Sequence, residues 1–114
     1  MKDSYSIGIM QGRLSNKTGQ PLQSFPWGSW KEEFKRASSI GFNKIEWLVD
    51  GNSDGQNPIA SPSGQKEILR LSDKYDISVN SLCAHSLIDG NLLHDNILNV
   101  NNAKHKFLKI LSWA

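Results

Sequence analysis

The sequence predicts an α/β chain of parallel strand–helix units, and three observations predict it. Short apolar segments rich in Ile and Val alternate with longer segments whose apolar residues recur at helical spacing. The strands expected near residues 5, 44 and 78 follow one another at 39 and 34 residues. The last apolar segment keeps helical spacing up to Ala114, with no glycine, cap or polar tail. Strands alternating with amphipathic helices imply right-handed crossovers and a parallel sheet. Eight such units close a barrel of about 250 residues, and an open doubly wound sheet needs fewer. Gly8-Ile9-Met10-Gln11-Gly12 does not lead directly into a helix, so the first turn lacks the phosphate fingerprint of the open sheets. The periodicity favours the barrel and leaves the open sheet as its alternative. On the barrel reading, residues 1–114 are an N-terminal fragment of one domain, its first three β/α units.

Each element has its own signal. Residues 5–10 are short, apolar and rich in isoleucine, and Gln11-Gly12-Arg13 ends them abruptly. Residues 15–28 carry Asn, Thr, Gly and Pro and read as a long loop. Ser29 and Glu32 have capping-box spacing, Trp30, Phe34, Ala37 and Ile40 form a helical stripe, and Gly41 is placed to end it. Residues 44–49 form the second strand and residues 50–60 another polar loop. Ser61-Pro62 reads as an N-cap followed by proline at the first helical position, with Ile68, Leu71 and Tyr75 on the apolar face. Residues 77–83 form the third strand, and all three strands are expected to be buried on both faces. Residues 89–102 read as a third loop, partly packed down by Leu92, Leu93, Ile97, Leu98 and Val100, with a last helix from Ala103.

Composition excludes several classes. Thirteen basic and 11 acidic residues are mixed along the chain for a net charge of +2, so neither a nucleic-acid nor a membrane partner is expected. Lys104, His105, Lys106 and Lys109 read as a solvated helix face. No stretch approaches the length of apolar residues that crosses a bilayer. The single cysteine, Cys83, allows no internal disulfide, and the first residues lack a secretory pattern; the expected location is a reducing cytoplasm.

Three pieces carry a resemblance. They are Ile7-Gly8-Ile9-Met10-Gln11-Gly12-Arg13-Leu14, then Phe25-Pro26-Trp27 with Trp30 and Glu33-Phe34, then Gly41-Phe42 with Ile45-Glu46-Trp47. In this order and spacing the chain resembles, from about residue 5 to residue 93, the opening of the sugar phosphate isomerase/epimerase family of the xylose-isomerase-like TIM-barrel superfamily. The resemblance implies a divalent-metal enzyme using Mn²⁺, Co²⁺, Zn²⁺ or Mg²⁺, held by two Glu, one Asp and one His from later strands. It implies proton transfer next to the carbonyl of a small sugar or sugar phosphate. Those metal ligands are expected outside this chain, so the chain alone is expected to be inactive. The superfamily also contains zinc endonucleases of abasic DNA, so an endonuclease-like metal-dependent hydrolase is one rival. A non-catalytic short α/β protein is the other.

Active sites of such barrels sit at the C-terminal ends of the strands. That selects Gln11 and Arg13 after strand one, Glu46 on strand two with Asp50 after it, and Cys83 and His85 at the end of strand three. A buried carboxylate at Glu46 must be paired or hydrogen-bonded, either to substrate or to a neighbouring strand. His85 suits contact with a sugar hydroxyl or an ordinary satisfied role; with His94 and His105 far off, it makes no metal site by itself. Cys83 reads as a small hydrophobe, a pocket lining or, paired with His85, a nucleophile. Arg13 suits either a bidentate anion or the loop around Phe25-Pro26-Trp27. Trp27 is the indole best placed to wall a sugar pocket, whereas Trp30 belongs to the helix stripe.

Overall fold

The structure is a computed structural model and describes residues 6–16, 18–85 and 97–113. The expectations for Tyr5, for residues 89–96 with Leu92, Leu93 and His94, and for Ala114 lie outside the described residues. Three strands, β1 (Gly8–Met10), β2 (Lys44–Leu48) and β3 (Ser78–Cys83), form one sheet in the order β1-β2-β3. Both pairings are parallel. Helix α1 (Trp30–Ile40) connects β1 to β2, and α2 (Pro62–Tyr75) connects β2 to β3. Between β2 and α2 lie two 3-10 turns, Asp54–Gln56 and Pro58–Ala60, where the sequence suggested only a polar loop. The protein is therefore α/β, built on a small parallel sheet.

The helix ends show local chemistry competing with tertiary contacts. Ser61 accepts the Gly64 N–H at 3.1 Å and Pro62 opens α2, as the sequence suggests. Gly41 closes α1 at φ 108°, donating to the Ala37 carbonyl at 3.1 Å. The capping box expected at Ser29 and Glu32 does not form. Ser29 flanks α1, but its hydroxyl bonds the Ser15 hydroxyl at 2.7 Å, and Glu32 turns to Arg36 one helical turn on, at 3.1 Å.

Trp47 on β2 is the centre of the core. It is fully buried, with Phe25 and Trp30 rings each 5.7 Å away and Phe34 at 6.5 Å. Ile45, Val49, Ile68, Leu71 and Ile77 complete the cluster. Ile40, expected on the α1 stripe, is 63% exposed, so the stripe ends at Ala37. The third helix, α3 (Ile97–Trp113), begins at Ile97 rather than at Ala103. It buries Ile110 and packs Trp113 against the core, while Phe107, Leu108 and Leu111 stay exposed. No described helix is long and apolar enough to cross a membrane.

Among the described residues the sheet is covered on both faces only in part: Leu48, on the face away from the main cluster, is fully buried as expected, but the rest of that face is not. Ile9, Ile45, Trp47 and Leu82 belong to the core cluster beneath the helices. Lys44, Glu46 and Ser81 face the other way and remain half-buried or exposed. The alternation explains this: β2 reads polar-apolar-polar-apolar over Lys44, Ile45, Glu46 and Trp47, the period of a strand with one wet face. Ile7, expected inside, is 56% exposed.

The approach of α2 to the preceding turn requires a residue without a side chain. A Cβ on Gly64 would lie 1.9 Å from the Pro58 carbonyl oxygen, whereas at Gly55 it would meet nothing within 4 Å. Backbone cannot yield as a flexible side chain does. Gly64→Ala is expected to cost about 2–3 kcal/mol in urea unfolding, near the upper end for overpacking, with Gly55→Ala nearly neutral.

Candidate functional site

The site is organised by the turn that leaves β1. Gly12 holds φ 97°, a left-handed geometry that turns its N–H away from the ladder. The carboxylate of Glu33, on α1 and 2% exposed, accepts that N–H with both oxygens, at 2.9 and 3.0 Å. It also accepts the Leu14 N–H at 3.1 Å. This residue entered the sequence reading only as part of a motif. The signal that points to it is a carboxylate one residue before Phe34, hence beside the buried stripe of a helix.

The clamped turn places Gln11, which is 1% exposed. Its N–H donates to the Glu46 carbonyl at 2.9 Å and its side-chain oxygen accepts the Leu48 N–H at 3.0 Å. Its side-chain nitrogen is buried without a partner. Gln11 thus continues the β1–β2 pairing past the last residue of β1. Arg13 donates to the Leu22 carbonyl at 2.9 Å and so holds the long loop, the second of its two sequence readings. Asp50 is committed in the same way: it accepts the Phe25 N–H at 2.8 Å and the Asn52 N–H at 2.9 Å. Asn57, 2% exposed, was not singled out in the sequence; it accepts the Trp47 indole N–H at 2.8 Å and donates to the Leu48 carbonyl at 3.0 Å.

Glu46 is different. Its register partners are Met10 on one side and Ser81 on the other, so it stands in the middle strand of the open face. A cleft of about 330 Å³ opens there, lined by Gly8, Ile9, Met10, Lys44, Glu46 and Ser81. Among the described residues its one side-chain partner is the Ser81 hydroxyl, donating at 3.4 Å, and no cation lies within ion-pair distance. It is half-buried, and the internal salt bridge weighed as an alternative does not form among the described residues.

The next layer toward the strand ends is Leu48 with its partner Cys83. Cys83 is half-buried, and burial first, then the Glu46 charge, pushes its thiol above the ordinary range, with the His85 backbone and Arg13 acting more weakly the other way. A thiol held neutral is not an activated nucleophile. His85 lies two residues beyond Cys83 and is half-buried. Glu46, Cys83 and the Gln11 backbone therefore share one region of the sheet, with His85 at its edge. Trp27 does not join them: it lines a second cleft formed by loop residues.

Among the described residues no three His, Cys, Asp or Glu side chains converge to hold a metal ion. Glu46, Cys83 and His85 do not by themselves fit the divalent cation that the resemblance implies. Neither family models, curated proteins nor solved structures match the chain.

Two measurements check this geometry. Glu33→Ala leaves the Gly12 and Leu14 N–H groups without acceptors, and a loss of about 3 kcal/mol is expected in chemical denaturation. An unchanged midpoint would show the clamp to be dispensable. The raised Cys83 thiol is expected to alkylate with iodoacetamide more slowly than a free cysteine at neutral pH, with the rate rising only at alkaline pH. Removing the neighbouring negative charge by Glu46→Gln is expected to move that pH–rate curve to lower pH. Mass-spectrometric rates across pH read both effects.

Proposed function

We propose that the open face of the sheet is the substrate wall of a (β/α) barrel enzyme, a sugar or sugar phosphate isomerase or epimerase. One observation carries the reading: a half-buried carboxylate, Glu46, stands in a cleft of mixed polar and apolar lining on a parallel sheet, with a single long hydrogen bond, to Ser81, among the described residues. Farther along the strand ends, the Gln11 side-chain oxygen and Asn57 are spent on holding β2. Such a carboxylate is an acceptor for the vicinal hydroxyls of a sugar. The outer edges of β1 and β3 have no strand beside them among the described residues. Further parallel strands on those edges would curl this face into a barrel interior and close the pocket. Proton transfer beside the carbonyl, and any divalent cation assisting it, would fall to residues other than these.

In this reading Glu46 binds and orients hydroxyls and Ser81 keeps the carboxylate in place, while Cys83 stands one layer further along the strands. Gln11 and Arg13 act through the turn and the loop they hold. Titration of the chain with fructose, tagatose and fructose 6-phosphate, followed by the backbone NMR signals of Glu46 and Ser81, tests the reading. Saturable shifts are expected, weakened roughly tenfold by Glu46→Gln, as loss of a hydrogen bond to a charged group implies. No saturable shift, or binding indifferent to the substitution, overturns the reading. Turnover of these ketoses is expected to stay at the no-protein level when Mn²⁺ or Co²⁺ is added, because the described residues do not assemble a metal site.

A further inference from the structure

We infer that the cleft over Trp27, in the loop between β1 and α1, is a separate binding site for an uncharged saccharide. The cleft holds about 450 Å³, within the range of small-ligand pockets, and every described residue that lines it is neutral. Asn16, Thr18, Gln20 and Ser29 supply amides and hydroxyls around two aromatic side chains, Phe25 and Trp27.

The aromatic floor is rigid. Phe25 is 4% exposed and anchored in the core beside Trp47, with its N–H held by the Asp50 carboxylate at 2.8 Å. Trp27 sets its ring edge-on to Phe25 at 4.7 Å and donates its backbone N–H to the Phe25 carbonyl at 3.0 Å. Its indole is nevertheless 42% exposed, in contrast to the fully buried Trp47. An indole packed on a buried ring and left partly open to water offers aromatic surface to a ligand at reduced entropic cost.

That combination selects a ligand class. The polarised C–H groups on one side of a pyranose match the negative face of an indole, and its equatorial hydroxyls match amides that both donate and accept. Among the described residues neither the Trp27 indole N–H nor the Gln20 amide has a hydrogen-bond partner in the protein, so both remain for a ligand. Among the described residues no cation lines the cleft, so a phosphorylated or acidic sugar gains no ion pair from them; a flat apolar ligand leaves the polar rim unpaired. The site is independent of Glu46: it is built from loop residues, and none of them lines the cleft on the sheet.

The test uses the complete 114-residue chain, whose four tryptophans give four indole N–H signals in a ¹⁵N-correlated NMR spectrum. Titration with methyl β-glucopyranoside, maltose and cellobiose is expected to move the Trp27 indole signal saturably for at least one of them. Glucose 6-phosphate is expected to bind no tighter than the matching neutral sugar. Trp27→Ala is expected to weaken binding about tenfold or more, and the surface change Gln20→Ala several-fold with the fold intact. Glu46→Gln is expected to leave these shifts unchanged, which separates this site from the one on the sheet. Absence of any saturable shift, tighter binding of the phosphate, or affinity unaffected by both loop substitutions overturns the inference.

Discussion

The exit of β1 is held by one buried carboxylate. Glu33 lies where an ionised group is costly unless it is fully hydrogen-bonded, and it finds its donors in two backbone N–H groups of the turn after β1. The pairing satisfies both sides: the carboxylate is solvated by amides, and the turn is released from any need for water. It also locks α1 to the exit of β1, and Arg36 adds a second tie to the Leu14 carbonyl at 2.7 Å. With the turn fixed, Gln11 reaches across to β2 at two points. That chain of contacts ties the exit of β1 to the backbone of β2 at Glu46 and Leu48.

A second group of polar residues does for β2 what Glu33 does for β1. Asn57 caps the indole of Trp47 and the last carbonyl of the strand, joining a fully buried aromatic to the turn before α2. Asp50 ties the long loop to the exit of β2 through Phe25. Polar residues crowd the strand ends, yet Glu33, Asp50, Asn57 and the side-chain oxygen of Gln11 are consumed in holding backbone and the Trp47 indole, leaving only the Gln11 side-chain nitrogen unpaired among these groups. The functional candidates are those left over, Glu46 on the sheet and the open indole of Trp27 in the loop. Subtracting the committed groups discriminates more sharply here than position at a strand end.

Much of the scaffold is legible in the sequence because its signals are local. Gly41 takes a conformation that suits glycine, and Ser61-Pro62 satisfies its own helix start. The parallel order β1-β2-β3 follows from the strand–helix alternation. What is not legible depends on partners distant in sequence. Ser29 and Glu32 have the spacing of a capping box, but Ser15 and Arg36 outcompete it, and the carboxylate that matters is the next one along. Two-sided burial was expected of a parallel sheet as a class, while the polar residues Lys44 and Glu46 already marked one face as wet. Asn99, Asn101 and Asn102 are weak helix formers and read as loop, yet α3 runs through them.

The pairing of β3 with β2 carries an irregularity: Lys44 faces Ser78, but Glu46 faces Ser81, so β3 spends three steps where β2 spends two. That extra residue acts as a parity switch. Before it, odd and even positions of β3 would address one pair of faces; after it, they address the opposite pair, which is how Ser81 and Cys83 come to stand beside Glu46 and Leu48 while Leu82 joins Trp47. Inserting or deleting one residue there would exchange the chemistry of the two faces beyond that point without altering β1 or β2. The lining of the sheet cleft is therefore set by a counting step in the backbone as much as by the identity of any side chain.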